Sequence, residues 1–141
     1  IYLREGTKAQ LHNFVLTNAA GECFELEGGD TSSITVDQAI AGETVISNSV
    51  FACSENFKDS KATDGSVLLD AQDWVLNQNP DLNKDNSTAA DMNAVLDGLF
   101  TIDASPSKDF TGSAFFDNAN HIGAVTSGND WTAGWTVGLE D

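Results

Sequence analysis

Four oxygen-bearing side chains in the middle of the chain have the spacing of a calcium-binding loop. Asp81, Asn83 and Asp85 stand at alternate positions, with a predicted helix after them. Alternating carboxylate and amide oxygens are the ligands that open an EF-hand loop. The second half departs from that pattern, because position 12 is Met92 and the nearest carboxylate, Asp91, comes one place early. These four residues are therefore candidate calcium ligands, and the alternative is a solvated acidic loop that holds no ion.

Cys23 and Cys53 are the two cysteines of the chain. An even pair in a secreted chain favours a disulfide, whereas two buried thiols are the alternative. A bridge would close a loop of about 30 residues and stabilise the fold by about 3 kcal/mol. The cysteines and the two distant histidines, His12 and His121, lack the spacing of a zinc site.

Two tryptophans near the end of the chain, Trp131 and Trp135, stand four residues apart. Exposed tryptophan rings at such a spacing can stack on sugar rings, which makes the pair a candidate ligand-binding platform. Packing over the end of the fold is the alternative role.

No catalytic motif is present. The chain has no G-x-S-x-G elbow, P-loop or G-x-G-x-x-G sequence, and neither histidine has a neighbour that would complete a triad. Carboxylates are too numerous for any pair to stand out as a glycosidase site. His12 lies in an apolar run, which favours a packed or rim position. Arg4 and five lysines are too few to bind and deprotonate an acidic polysaccharide.

The charge balance narrows the possible partners. The chain has 141 residues, 22 of them acidic and 6 basic, and a net charge of −16. Nucleic acid and anionic membrane surfaces would repel such a protein. No apolar run approaches the roughly 18 residues that a membrane helix needs. At 40% hydrophobic residues, the chain can bury one core, so one domain is expected.

The elements that would position these residues are mostly short strands separated by Gly, Asn, Asp and Ser clusters. Two runs resemble each other, with Asn13 aligned on Asn48 and Val15 on Val50. Asparagine tolerates left-handed backbone at a corner, so the repeat predicts parallel pairing of the two runs with the asparagines side by side. Coincidence between two strands of an ordinary sandwich is the alternative. Strands are predicted at residues 1–4, 9–16, 23–27, 33–36, 44–51, 99–102, 113–116, 122–125 and 130–139.

Apolar residues recur at helical spacing in two places. Residues 66–76 carry Ala71, Trp74 and Val75 on one face, and residues 89–99 carry Ala94 and Val95 in the same way. Both segments are predicted to be short amphipathic helices.

Three stretches together resemble a known family. They are residues 3–8 (LREGTK) leading into 11–17 (LHNFVLT), residues 46–51 (ISNSVF), and residues 115–117 (FFD) through 121–125 (HIGAV) to 130–136 (DWTAGWT). This is similar to the C-terminal part of bacterial secreted or outer-surface proteins, often lipoproteins, built as right-handed parallel β-helices. The resemblance implies an all-β solenoid whose end coils carry two short α-helices and a C-terminal cap. It implies no catalytic residues.

The resemblance also implies an organisation of the chain. Residues 1–141 would form a single domain, with β-coils at 1–60, a helical insertion at 61–100, and strands and a cap at 101–141. Because residue 1 is Ile and the first segment already reads as a strand, we expect the C-terminal portion of a longer chain. The strand at residues 1–4 would then expose an unpaired edge through which two copies could associate.

These observations lead to an expected function. We expect a non-enzymatic, secreted or cell-surface bacterial protein with a structural, adhesive or glycan-binding role, no cofactor other than calcium, and a polysaccharide or cell-surface partner. The alternative is the C-terminal fragment of a β-helix carbohydrate-active enzyme, a lyase or glycoside hydrolase, with its catalytic residues upstream.

Overall fold

The computed structural model describes residues 1–78, 81–102 and 105–134. The α-helices are α1 (Ile34–Ile40) and α2 (Ala71–Leu76), and one 3-10 turn covers Met92–Ala94. The strands in chain order are β1 (Tyr2–Leu3), β2 (Gln10–His12), β3 (Val15–Thr17), β4 (Glu22–Leu26), β5 (Val45–Ser47), β6 (Val50–Ala52), β7 (Glu55–Lys58), β8 (Ser60–Lys61), β9 (Val67–Leu69), β10 (Ser87–Thr88), β11 (Leu96–Asp97) and β12 (Phe100–Thr101).

The strands form several small sheets of mixed direction. Strands β1, β4 and β7 pair in parallel, as do β3, β6 and β10, and as do β2 and β5. Strands β8 and β9 form an antiparallel pair, and so do β11 and β12. The expected right-handed parallel β-helix is therefore wrong: the fold is mostly β, in separate parallel and antiparallel sheets, with two α-helices.

The chain does not form a solenoid because of the segments that connect its parallel strands. A solenoid needs each coil to repeat the same strands in register along the whole chain. Here the connections fold into α1, α2 and two local hairpins, whose backbone bonds close within the segment itself. The strand and asparagine repeat that suggested coils occurs in one part of the chain only.

The predicted pairing of the two asparagine-containing runs is confirmed. His12 pairs with Ser47 and Val15 with Val50, both in parallel, so Asn13 lies level with Asn48. The φ angles of Asn13 and Asn48 are 58° and 54°, which is the left-handed conformation that turns the chain between the strands. Pairing of β10 with β6 sets Asp85, with φ of 56°, at the next level. Asn13, Asn48 and Asp85 are called the corner stack below.

An aromatic core lies between the sheets and α2. Trp74 of α2 is 2% exposed and stacks on Phe24, with 6.0 Å between the ring centroids. The Phe51 ring contacts Phe24 edge to face, and its centroid lies 4.9 Å from the ring centroid of Phe57 in β7. Burial of such large rings supplies much of the favourable free energy of folding.

Local capping explains where the helices differ from the sequence-based prediction. Residues 33–36, predicted as a strand, begin α1, because the Ser33 hydroxyl caps the helix by accepting from the Val36 N–H. Helix α2 begins at Ala71, five residues later than predicted, since Asp70 caps it and β9 pairs with β8 before it. Of the predicted buried face, Ala71, Trp74 and Val75 are buried.

The second predicted helix, at residues 89–99, is reduced to one 3-10 turn. The Asp91 carboxylate accepts from the N–H groups of Asn93 and Ala94, which starts the turn. Gly98, with φ of 60°, then reverses the chain between β11 and β12. A hairpin therefore replaces the last turns of the expected helix.

The segment 105–134 contains turns and bends where strands were predicted. Its one bridge pairs Thr126 with Asn129. Residues 135–139 of the last predicted strand lie outside the described residues. Within the described ranges, no helix is long and apolar enough to cross a membrane.

Candidate functional site

The proposed calcium ligands take separate structural positions. Asn83 is 4% exposed, and its Oδ1 accepts from the Ile46 N–H at 3.0 Å while its Nδ2 donates to the Trp74 carbonyl at 3.0 Å. This amide therefore joins β5 to α2 inside the protein. Asp81 is exposed on the loop that precedes it.

The remaining two candidates are also engaged. Asp85 Oδ2 accepts from Asn48 Nδ2 at 3.3 Å, and Asp91 caps the 3-10 turn. In the part of the chain that the structure describes, no group of three or more His, Cys, Asp or Glu side chains is placed to hold a metal ion. Calcium binding by the four residues remains a prediction.

Cys23 and Cys53 are joined by a disulfide with a Cα–Cα distance of 5.9 Å. Cys23 lies in β4, and Cys53 follows β6, so the bond connects two sheets. Cys53 also borders a cavity of about 350 Å³ whose rim includes Met92 and Asn18.

Of the two tryptophans predicted to bind a sugar, one lies within the described residues. Trp131 is 53% exposed, and its indole N–H donates to the Ala124 carbonyl at 2.8 Å, which holds the ring in place. Trp135 lies outside the described residues. The pair as a sugar platform remains a prediction.

His12 belongs to a chain of hydrogen bonds that ends in the corner stack. Asn48 Nδ2 donates to the Pro106 carbonyl at 2.9 Å, so its Oδ1 faces Ser47 and accepts from that hydroxyl at 2.7 Å. Ser47 has then used its one proton, and the His12 Nδ1–H must donate to Ser47 Oγ at 2.8 Å. Burial, with a smaller contribution from the charge of Lys108, lowers the pKa of His12. Ser47 is therefore a structural hydroxyl and not an activated nucleophile.

One pair of carboxylates interacts closely. Lys58 Nζ lies 3.3 Å from Glu22 Oε1 and 3.1 Å from Glu25 Oε2 on the outer face of the β4 and β7 pair. Burial, and then the neighbouring Glu22 carboxylate, raises the pKa of Glu25, whereas the backbone N–H of Glu22, and then Glu25, lowers the pKa of Glu22. Glycosidase carboxyl groups stand about 5–9.5 Å apart to leave room for the sugar or a water. Here the Lys58 ammonium group contacts both carboxylates and occupies the place that a sugar or a water would need, so the three side chains form an ion cluster.

A cavity of about 440 Å³ lies between β7 and α2. It is called the α2 groove. One aromatic ring and five planar polar side chains line it: Phe57, Asp59, Asp70, Gln72, Asp73 and Asn77.

Hydrogen bonds fix the carboxylates of the α2 groove. Asp70 Oδ1 caps α2 by accepting from the Asp73 N–H at 2.8 Å, and Asp59 Oδ1 accepts from the Ala71 N–H at 3.2 Å. The Gln78 and Asn77 side-chain amides donate to Asp73 and lower its pKa. These hydrogen bonds orient the three carboxylates without a ligand, and the lowered pKa keeps Asp73 ionised.

The α2 groove offers acceptors, donors and a ring at once. Within the described residues, Asp59 Oδ2 and Asp70 Oδ2 have no hydrogen-bond partner, and the Gln72 amide can both donate and accept. Phe57 contributes an aromatic ring, which packs against the ring of Phe51. Fixed planar polar groups beside an aromatic ring can hydrogen-bond sugar hydroxyls while the ring contacts the apolar side of the sugar.

Sequence reasoning did not single out this groove. The helical pattern predicted the polar face that carries Asp70, Gln72 and Asp73, but an amphipathic pattern marks such a face only as solvated. The contribution of Phe57 and Asp59 depends on the packing of β7 against α2, which the pattern does not contain.

Comparison with known proteins gives no assignment. No family model, curated protein or solved structure matches this chain. The resemblance to bacterial surface proteins therefore rests on its motifs, and functional conclusions rest on the geometry of the site.

Proposed function

We propose that this protein is a non-catalytic, carbohydrate-binding protein of the bacterial exterior, and that the α2 groove is its sugar site. The observation that carries the proposal is the combination in one cavity of the Phe57 ring with five polar side chains, four of which are oriented by hydrogen bonds. A groove that needs no rearrangement to receive hydroxyl groups loses little free energy in ordering itself on binding.

The charge of the groove defines the class of glycan. Three of its lining residues are aspartates, and none is basic. Together with the net charge of −16, this favours a neutral glycan over one that carries uronic acid or sulfate groups.

A binding role agrees with the state of the candidate catalytic groups. Ser47 is 1% exposed and donates its proton to an amide oxygen, and the Glu22 and Glu25 carboxylates are both paired with Lys58. Neither arrangement supplies a nucleophile or a free acid and base pair in the α2 groove.

Two further features support an exterior location and a multivalent form. The disulfide is of the kind that persists in oxidising compartments. Strand β1 is paired with β4 on one side, so a second copy could pair along its other edge. Two linked copies would present two grooves and bind a polymer more tightly by avidity. Light scattering across a concentration series tests this pairing, and a strict monomer at high concentration would contradict it.

The sugar site is tested by affinity electrophoresis in gels that contain neutral polysaccharides, with xylan, mannan and a β-glucan as the probes and polygalacturonate as the acidic comparison. We expect retardation by at least one neutral polymer and none by polygalacturonate. Gln72→Ala and Phe57→Leu should each reduce the retardation, the latter because it keeps an apolar side chain but removes the ring.

Gln10→Ala is the matched control, because Gln10 is an exposed glutamine outside the groove. Trp131→Ala separates this proposal from the tryptophan platform. Retardation that survives both groove variants but disappears with Trp131→Ala would place the sugar at the platform and refute the groove.

A further inference from the structure

A second cavity, of about 210 Å³, lies beside the corner stack and is independent of the sugar site. It is bounded by the corner residues Asn48 and Asp85 and by the segment that crosses them: Lys84, Ser107, Lys108 and Asp109 complete its lining. It is called the lysine pocket.

The walls of the lysine pocket are fixed by buried amides. Asn48 is 2% exposed, and its Nδ2 donates both to Asp85 Oδ2 and to the Pro106 carbonyl. The Asn13 side chain accepts from the Lys108 N–H and donates to the Lys108 carbonyl, as a neighbouring strand would. The crossing segment is thus held to the corner stack at two levels, and the pocket exists before any ligand arrives.

The lysine pocket contains two of the three basic residues that form no ion pair within the described residues. Arg4, Lys8 and Lys58 each lie within 4.0 Å of a carboxylate, and the third unpaired residue, Lys61, is exposed outside the pocket. Across the described residues, neither Lys84 nor Lys108 forms such an ion pair, although the chain has 22 acidic residues. Two of the chain's six basic residues therefore line one small cavity without a direct counterion.

The two carboxylates of the pocket are engaged elsewhere. Asp85 bonds to Asn48, and Asp109 Oδ1 accepts from the Thr111 N–H at 2.7 Å. The hydroxyl and N–H of Thr111, with a smaller contribution from the charge of Lys108, lower the pKa of Asp109, so this carboxylate stays ionised. The pocket lining therefore contains two positive and two negative residues, and among the described residues no ion pair within 4.0 Å joins them.

We propose that the lysine pocket binds a small zwitterion of the α-amino acid class, with the ligand carboxylate on Lys84 and Lys108 and the ligand ammonium group on Asp85 and Asp109. A ligand without net charge is not repelled by the −16 of the protein, whereas a simple anion is. The volume is below the roughly 300–1,000 Å³ of sites for drug-sized ligands, which limits the ligand to a few heavy atoms.

Isothermal titration calorimetry with glycine and L-alanine tests the proposal, with acetate and methylammonium as single-charge probes. We expect the amino acids to bind and each single-charge probe to bind at least tenfold more weakly. Lys84→Gln with Lys108→Gln, and separately Asp85→Asn with Asp109→Asn, should weaken amino acid binding at least tenfold. The asparagine variants retain an acceptor for Asn48 and Thr111, and asparagine tolerates the left-handed backbone at position 85.

Lys61→Gln is the matched control, since Lys61 is exposed and lies outside the pocket. Amide chemical shifts in a ¹⁵N spectrum should move at Ser107 and Lys108 on addition of L-alanine, and they also report whether each variant is folded. Absence of heat and of shifts with both amino acids overturns the proposal. Unchanged binding in the lysine variant, or acetate binding as tight as that of alanine, overturns it as well.

Discussion

Two regions of the molecule, residues 2–88 (the strand region) and residues 105–134 (the turn region), are stabilised by different kinds of interaction. In the first region, strands pair in parallel around Phe24, Phe51 and Trp74, and backbone groups bond to distant backbone groups. In the second region, polar side chains close short turns: Asn118 accepts from the Phe110 N–H, and Ser113 Oγ accepts from the N–H groups of Phe115 and Phe116.

The second region depends on the first for its position. Asn13 bonds to the Lys108 backbone, Asn48 to the Pro106 carbonyl, and the Gly123 N–H donates to the Asn13 carbonyl at 2.8 Å. Gly123 has φ of 80°, and a Cβ there would collide with the Thr101 hydroxyl. Burial of the aromatic core therefore stabilises the strand region, whereas the turn region is attached to it by a few amides and by Ile122, which packs against Val50 and Val95 in a second apolar cluster. The turn region also leaves aromatic residues exposed to solvent, and Phe115 is 86% exposed.

The largest expected effect separates two tryptophans. Trp74→Ala should lower the free energy of unfolding by about 3–5 kcal/mol, because it empties a buried aromatic site. Trp131→Ala should cost under about 1 kcal/mol, because Trp131 is half exposed and little apolar surface is lost from a core. Urea unfolding measured by circular dichroism checks both values. Equal losses would mean that the two regions share one core.

Removal of the disulfide comes next. Cys23→Ala with Cys53→Ala should lower the free energy of unfolding by about 3 kcal/mol, since the bond restricts the unfolded chain within the strand region. Reduction of the unmodified protein by dithiothreitol is the comparison and should produce a similar loss. A change below about 1 kcal/mol in both experiments would show that the disulfide contributes little to the free energy of unfolding.

The attachment between the regions is tested at Asn48. Asn48→Ala should cost about 2–3 kcal/mol, because it removes buried hydrogen bonds and places a Cβ-bearing residue without side-chain compensation at positive φ. Asn48→Gly relieves the backbone cost and should recover about 1 kcal/mol. Amide hydrogen exchange should rise at Ser107 and Lys108 in both variants. Protection that stays unchanged there would show that Asn48 does not hold the segment.

Titration of His12 should have a smaller effect. Its pKa is lowered in the folded protein by burial, and to a lesser extent by Lys108, so the unfolded chain binds the proton more strongly. The stabilising contribution is present above the unfolded pKa near 6.5 and is lost as the pH falls through the folded pKa. The melting temperature should therefore decline as the pH falls below about 6.5, and less so in His12→Gln. An identical decline in the variant would assign the effect to other groups.

The smallest effect concerns calcium. Asn83 and Asp91 use their oxygens for backbone N–H groups, so we expect calcium and sodium at equal ionic strength to shift the melting temperature equally. A larger shift with calcium that Asp81→Ala with Asp85→Ala abolishes would instead establish the ion site predicted from the loop spacing.

The sequence was most informative where a backbone conformation favours only a few residue types. Asn13 and Asn48 stood in matching contexts, and left-handed corners require such residues, so their parallel pairing was predictable. The helical face containing Trp74 was also predictable from spacing. The cap at Ser33 overrode strand propensity, and the hairpin at Gly98 replaced a helix, because both outcomes depend on competing local bonds.

The candidate sites were less accessible from sequence. The α2 groove joins Phe57 and Asp59 to residues of a helix further along the chain, and the lysine pocket joins Lys84 to Lys108. Neither grouping has a spacing signature, because tertiary packing alone creates it. The oxygen ligands at Asp81, Asn83 and Asp85 had a signature, but the fold directs the Asn83 amide into the interior.

The central claim is that the strand region, through the α2 groove, binds a neutral glycan. The most direct measurement is a ¹⁵N amide shift titration with an oligosaccharide of whichever polymer retards the protein in gels. The account predicts saturable shifts at Phe57, Asp70, Gln72 and Asp73, with none at Phe115 or Trp131. Shifts confined to residues 105–134, or no shifts at millimolar oligosaccharide, would contradict it.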